Sequence, residues 1–474
     1  MAKRILFAYP PSQLMNREDR CQVPSKNIVV APPLPPTDLM YMAASAEAAG
    51  ALCMIRDYTL DGLPVEAFIK DLSEFRPDCL VVSTTTPTLD SDLQACKAAR
   101  ETIPGILTVA KGAHFTKFRH EVLENYPHLD AVIRGETELV MRDIAAGIDL
   151  SKIEGIAWRS GNKIVDNAPR PFIADLDSLP FPARHLVDNS RYVRPDNRKI
   201  QGVIKVSRGC PFNCFFCLAT AVSGSKVRRR SHANILAEIR HCMEEYGMKD
   251  FLFWSDIFNL DRKWVMDLCA AIMDSGLRFN WATNTRVDTI DLEMAKMMKK
   301  AGCTLVSVGI ESGSQEILDR MGKKTDLEQI RRAFRIFRQA GLKTFAYYII
   351  GLAWETRETF EETIRLAIEL DSDYANFFTA TAFPGTRFFE YAVENNLFQG
   401  PVDDMLYKDA YYYPTVKGHH LTQEEILGLY EEAVRRFFFR PSYIVKRLVG
   451  IRSVNELKGY SAAGLAMLRR RRTK

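Results

Sequence analysis

The chain has 474 residues, which at roughly 150 residues per domain suggests about three domains. A composition of 47% hydrophobic and 26% charged residues excludes disordered, collagen-like and small disulfide-scaffold classes. No apolar run approaches the roughly 18 residues that a membrane span requires, and the opening Met-Ala-Lys-Arg-Ile-Leu-Phe leads into a strand pattern, so a cytoplasmic protein is expected. The formal net charge is +5, but twelve Lys and Arg against one acidic residue, Glu456, fall from Arg435 onward. That +11 tail leaves the rest of the chain at −6, with no basic surplus to follow a polyphosphate, so no nucleic-acid partner is expected.

The first 150 residues alternate short apolar runs with amphipathic stretches. Strands are predicted over Ile5–Tyr9, Leu52–Tyr58, Cys79–Thr85, Leu107–Lys111 and Ala131–Arg134. Helices are predicted over Asp38–Ala49, Val65–Phe75, Leu89–Thr102 and Lys117–Asn125. Crossovers of that length give a parallel, doubly wound sheet, Rossmann-like, whose ligand crevice lies at the carboxyl ends of the strands. Residues 151–200 read as a proline-rich linker containing a hairpin about Ser160-Gly161-Asn162-Lys163.

A second alternation covers residues 201–400. Its strands are predicted over Val203–Ser207, Asp250–Ser255, Phe279–Asn284, Leu305–Ile310, Thr344–Gly351 and Ala375–Ala382. Six strand-helix units are too few for a complete eight-fold barrel and predict a partial, (β/α)6 barrel of the TIM type with functional residues at the carboxyl ends of its strands. Residues 401–474 form a helical C-terminal region that opens at a capping box, Thr422-Gln423-Glu424-Glu425, and ends in the basic tail.

Three of the ten cysteines cluster, as Cys210, Cys214 and Cys217 in Ser207-Arg208-Gly209-Cys210-Pro211-Phe212-Asn213-Cys214-Phe215-Phe216-Cys217. A C-x3-C-x2-C loop can ligate three irons of a four-iron, four-sulfur cluster and leave the fourth iron open to a chelating amine and carboxylate. The alternatives are a zinc site, which in a structural role normally takes a fourth protein ligand, and simple buried cysteines. The spacing, with Phe216 before the third cysteine, resembles the radical S-adenosylmethionine enzymes.

That resemblance implies a [4Fe-4S] cluster on Cys210, Cys214 and Cys217, with S-adenosylmethionine cleaved reductively to a 5'-deoxyadenosyl radical. It implies nucleotide contacts from Phe216, from Asp256 in Phe253-Trp254-Ser255-Asp256, from Asn284 and Arg286 in Trp281-Ala282-Thr283-Asn284-Thr285-Arg286, and from Glu311 in Gly309-Ile310-Glu311-Ser312-Gly313. Ala353 and Trp354 stand where many relatives have a tight Pro-Gly turn, placing bulk near the substrate side. The preceding doubly wound domain resembles the cobalamin-binding domain of the cobalamin-dependent subfamily. It implies cobalamin contacts from Ser83, Thr84, Thr85, Gly112, His114, Gly135 and Glu136, with no histidine assumed on cobalt.

The resemblance further implies methylation of an unactivated carbon of a small, hydrophobic molecule of lipid, hopanoid or tetrapyrrole type, with electrons from a flavodoxin- or ferredoxin-type donor. The alternatives are oxidative cyclisation with the same cofactors, as in the anaerobic magnesium-protoporphyrin ester cyclases, a tRNA methylthiolating enzyme using Cys21, Cys53 and Cys79 for a second cluster, and a non-catalytic carrier. The aromatics and cations of Arg435–Arg440 and Tyr443–Leu448 suit either peripheral contact with the inner face of a membrane or a terminal helix packed on the barrel.

Overall fold

The computed structural model describes residues 2–17, 22, 34–60, 62–194, 199–398, 400–402 and 414–451. Cys21 and most of the basic tail lie outside them. The first sheet contains β1 (Arg4–Tyr9), β2 (Leu52–Asp57), β3 (Cys79–Ser83), β4 (Leu107–Lys111), β5 (Ala131–Ile133), β6 (Ile156–Ser160) and β7 (Lys163–Asp166). Their order is β2-β1-β3-β4-β5-β6-β7. The first five strands are parallel, and residues such as Leu6, Phe7, Val81 and Val132 are buried under helices on both faces. The hairpin predicted inside the linker forms, but as β6 and β7 it extends this sheet antiparallel to β5. Its local turn is visible in the sequence, whereas its pairing with Ala131–Ile133 is a tertiary fact.

The second sheet is built from β8 (Gln201–Lys205), followed by the short ribbon β9 (Ser207–Arg208) and β10 (Arg228–Arg229), then β11 (Asp250–Trp254), β12 (Asn280–Thr285), β13 (Cys303–Glu311), β14 (Lys343–Ile350) and β15 (Tyr374–Thr379). Its order, β15-β14-β13-β12-β11-β8, is sequential and parallel throughout, the open six-stranded barrel that the pattern predicts. Residues 182–192 of the connector run against both sheets. Arg184 and Arg230 grip the fully buried Glu238 on the first barrel helix, and Arg184 also donates to the carbonyl of Val203. Burial alone would raise the Glu238 carboxyl; the two guanidiniums outweigh it and hold the group below its ordinary range.

The helix Gln423–Phe438 begins at the predicted capping box, Thr422 with Glu425, and lies on the outside of β14 and β15. Gly351 makes room for it: at φ +86 its missing Cβ would stand 2.4 Å from Ile426 Cγ2. In the last described helix, Pro441–Gly450, Lys446 pairs with Asp371 and Arg447 with Asp373, while Arg440 also binds Asp371. These cations therefore pin the helix to the barrel, whereas Val445, Leu448 and Val449 face outward. No helix among the described residues is long and apolar enough to cross a membrane.

Candidate functional site

The carboxyl edges of the two sheets face one another across a cavity of about 530 Å³. Cys210, Cys214 and Cys217 all line it, with Phe216, Asp256, Asn284, Arg286 and Glu311. One loop supplies the thiols, and the fold fixes it from several sides. Gly209 has φ +94, and a Cβ there would lie 2.2 Å from the carbonyl oxygen of Lys226. Its N–H donates to Asp256 Oδ2 at 2.6 Å, tying the loop to the end of β11. The Cys210 N–H donates to the Gly224 carbonyl, and the Phe215 N–H to that of Met321. Phe215 packs between Trp354, 4.8 Å away, and Phe388, 5.1 Å away. Trp354 is therefore part of the packing behind the loop. Its indole N–H donates to Tyr391, and it does not line the cavity, contrary to the expectation of bulk on the substrate side.

All three thiols are free of disulfides. Among the described residues no group of three or more His, Cys, Asp or Glu side chains converges on a single metal ion. Three thiols on one loop at a shared cavity can each bind a different iron of one cube. Cys53 and Cys79 lie in the core of the first sheet, where burial pushes each thiol up to about 12. Neither faces the cavity, which removes the structural basis of the second-cluster alternative among the described residues.

Beside the thiols, Glu311 has a left-handed φ of +69, a conformation that costs a non-glycine residue about 1–3 kcal/mol and clusters at functional sites. Its carboxylate is paired at 2.6 Å with the buried Lys323, and Gly309 leaves room for it: a Cβ there would be 2.2 Å from Glu311 Oε1 and would push that side chain aside. Asn284 donates to the Ser255 carbonyl. The Arg286 guanidinium is engaged, with two hydrogen bonds to Asp288 and a stacking contact 3.8 Å from the centre of the Phe212 ring. Lys323 and Phe212 were not singled out from the sequence; their roles arise from strand and loop proximity that no local pattern announces.

On the first-domain side the wall is formed by other residues than those predicted. Tyr9, Asp38, Asp57, Thr59 and Lys111 line the cavity, whereas Ser83, Thr84, Thr85, Gly112, His114, Gly135 and Glu136 do not. The sheet order places the topological switch point between β1 and β3, and Asp38 sits over it, accepting from Tyr9 and Ser83 and pairing with Lys111 at 2.7 Å. Burial alone would raise the Asp38 carboxyl; Lys111, the Tyr9 hydrogen bond and Lys205 across the interface lower it to about 2.

The predicted hydroxyls are turned inward. Thr84 donates to the Lys111 carbonyl, Thr85 and Thr88 share a hydrogen bond, and a Cβ at Gly112 would lie 2.5 Å from Thr84 Oγ1. His114 is fully buried near Phe115 and Phe118, and burial lowers it to about 3, so it is neutral. Gly135 has φ +75, and Glu136 after it reaches the other domain, accepting from Arg208 and Arg228. Arg208 also pairs with Glu138, so an ion network joins the end of β5 to the strand that leads into the cysteine loop.

A family model for the radical SAM superfamily matches residues 204–367, and one for the B12 binding domain matches residues 27–145. The chain is 32% identical over 447 residues to the uncharacterized methyltransferase PH0819 of Pyrococcus horikoshii, covering 94% of each chain. It is 29% identical to the anaerobic magnesium-protoporphyrin IX monomethyl ester cyclase of Cereibacter sphaeroides, covering 86% of this chain and 67% of the relative. The fold matches that of the radical S-adenosylmethionine methyltransferase TsrM from Kitasatospora setae, with a TM-score of 0.72 at 17% identity, covering 93% of this chain and 90% of the other. This chain belongs to the cobalamin-dependent radical S-adenosylmethionine enzymes, and its cofactors are a [4Fe-4S] cluster, S-adenosylmethionine and cobalamin.

Just outside the cavity, Glu355 is fully buried. One carboxyl oxygen accepts from the Gly351 N–H and the other has no partner. Burial raises this group from 4.5 to about 8, so the folded protein keeps it protonated at neutral pH. The unfolded chain ionises near 4.5, so the folded state binds the extra proton and stability falls as pH rises from about 4.5 to about 8. Glu355→Gln is expected to flatten that fall, raising stability at pH 8 by a few kcal/mol relative to the parent while leaving it near unchanged at pH 4. Urea unfolding at the two pH values checks this.

Proposed function

We propose that this protein methylates an unactivated carbon of a small hydrophobic molecule, with the substrate held between the two carboxyl edges. The observation that carries the reading is that three thiols of one rigid loop share a single cavity with Asp256, Asn284 and Glu311 on one side and with the switch point of the first domain on the other. When bound, the cluster with S-adenosylmethionine supplies a hydrogen-abstracting carbon radical, and cobalamin supplies the methyl group.

On this reading Cys210, Cys214 and Cys217 hold the cluster. Asp256 fixes the loop through Gly209 and presents its carboxylate to the amine of the nucleotide. Glu311, oriented by Lys323, Asn284 and Phe216 complete that contact, and Arg286 closes it from behind Phe212. Lys111 and Asp38 face the corrin, with Ser83, Thr84, Thr85, Gly112, His114, Gly135 and Glu136 shaping the strand ends that support them. The apolar wall of Leu252, Leu305, Phe345, Ile349 and Phe378 favours a greasy substrate. Similarity to a magnesium-protoporphyrin ester cyclase over 86% of this chain supports a second reading, oxidative cyclisation with the same cofactors. Electrons would come from a flavodoxin- or ferredoxin-type protein, and peripheral membrane contact would be made through the exposed Val445, Leu448 and Val449.

Anaerobic reconstitution with iron, sulfide and cobalamin, followed by reduction with S-adenosylmethionine present, is expected to release 5'-deoxyadenosine. Lipid and pigment extracts incubated with the holoenzyme are expected to contain a product heavier by one methyl group. A product that has instead lost hydrogen or gained oxygen selects cyclisation, and failure to form 5'-deoxyadenosine overturns both readings.

A further inference from the structure

The cavity has an aromatic wall that the cofactor-binding residues do not account for. The inward positions of β14 and β15 are Phe345, Tyr347 and Ile349 on one strand and Tyr374, Asn376 and Phe378 on the other, and all six line the cavity. Alternation along a strand puts residues two apart on one face, so these form a continuous surface. The Phe345 and Tyr347 rings are 4.8 Å apart at 31°, and Tyr347 and Phe378 are 5.9 Å apart at 31°. Such shallow angles leave a broad π surface along the wall instead of a closed edge-to-face cluster.

A single amide interrupts that surface. Asn376 stands beside Tyr347 in the strand register, is 3% exposed, and its side-chain oxygen has no hydrogen-bond partner. Buried polar groups in folded proteins are almost always satisfied, and a buried amide oxygen left without a partner is a standing cost to the fold. The same rung continues to Gly309, which has no side chain, and Glu311 follows two residues later on β13. Asn376 is thus two strands from β13, in the cavity that also holds the proposed nucleotide site, with no side chain from β13 on its rung.

We propose that Asn376 is a specificity-determining residue. In this proposal the substrate carries a planar, π-bonded ring that lies on the Phe345, Tyr347 and Phe378 wall and presents a hydrogen-bond donor, a ring N–H or a hydroxyl, to the amide. The proposal rests on the functional reading above and deepens it by naming the substrate's chemistry. A site built to bond a polar group rejects an analogue that lacks it far more strongly than an apolar pocket distinguishes shapes.

The probes are indole and 1-methylindole, which share a ring and differ in the N–H, added to the reconstituted holoenzyme with S-adenosylmethionine present and followed by saturation-transfer NMR. Indole is expected to bind at least tenfold tighter than 1-methylindole. Asn376→Leu is expected to bring indole down to the level of 1-methylindole, Asn376→Ser to retain part of the difference, and Tyr347→Leu to weaken both probes.

An unpartnered amide also makes a prediction that a structural hydrogen bond would not: Asn376→Leu keeps or raises the melting temperature. Equal binding of indole to the parent and Asn376→Leu, no binding of either probe at millimolar concentration, or a lowered melting temperature overturns the proposal. A matching loss of S-adenosylmethionine affinity in Asn376→Leu also overturns it, because the ring on the wall would then be the adenine. Release of 5'-deoxyadenosine and the cobalamin absorption spectrum report separately on the functional reading, so its failure is not confused with this one.

Discussion

Cys214→Ala is expected to lower the iron content of the anaerobically reconstituted protein from about four atoms per chain to below about one, and to abolish release of 5'-deoxyadenosine. The three thiols sit on one loop, and among the described residues no other cysteine lines the cavity to substitute for the one removed. The fold itself should survive. Cys214 is half-buried, and the loop is anchored elsewhere, by Phe215 between Trp354 and Phe388 and by the Gly209 N–H on Asp256. Cobalamin is therefore expected to remain bound, with its absorption spectrum unchanged. Cys269→Ala is the control: that thiol is buried in the barrel core, so the change costs stability but leaves iron content intact. Full iron content in the Cys214 variant would refute the cluster assignment.

Arg208→Leu is expected to destabilise the protein by about 3–5 kcal/mol, because it leaves the carboxylate of Glu138 buried without its paired cation. Glu136 keeps Arg228, so the effect is carried mainly by Glu138. The variant Arg208→Leu/Glu138→Leu, which removes both charges, is expected to recover most of that loss, since an apolar pair of similar size avoids the desolvation of a lone ion. Thermal and urea unfolding of the single and double variants measure the coupling. Because Arg208 lies two residues before Cys210 and Glu138 just after β5, the single variant should also loosen the join between the domains and reduce cluster retention.

The same pair sets an acid limit on stability. Burial alone would raise the Glu138 carboxyl, but Arg208 and Lys205 lower it from 4.5 to about 2. The unfolded chain takes up the proton first, so the contribution of about 3 kcal/mol is fully present above pH 4.5 and is lost as pH falls toward 2. Glu138→Gln is expected to remove that pH dependence, leaving the variant less stable than the parent at pH 7 and nearly equal to it at pH 2.

Much of the architecture is readable one segment at a time. Period-two and helical alternation locate all six barrel strands to within a few residues, because each strand must bury one face and each crossover must cover it. The cysteine spacing is local and survives any arrangement of the rest of the chain. The Thr422 capping box is likewise a matter of residues three apart.

The first-domain wall shows where that kind of reading stops. Ser83, Thr84 and Thr85 mark a strand end correctly, yet a strand end has two sides, and their hydroxyls are taken up by Asp38, the Lys111 carbonyl and Thr88. Asp38, twenty-nine residues after Tyr9, reaches the switch point only because the sheet order places β1 next to β3. Glu136 and Glu138 look like ordinary helix-start acids until the barrel brings Arg208 and Arg228 against them.

The sequence alone thus determined the two α/β units and the thiol loop, since periodicity and short spacings are set by the covalent chain. Only tertiary structure decided which side chains face the shared cavity, which acids become buried ion pairs, and that Asn376 is left with an open amide. Those outcomes depend on contacts between segments tens to hundreds of residues apart, and on the balance between burial and pairing that exists only once the segments meet.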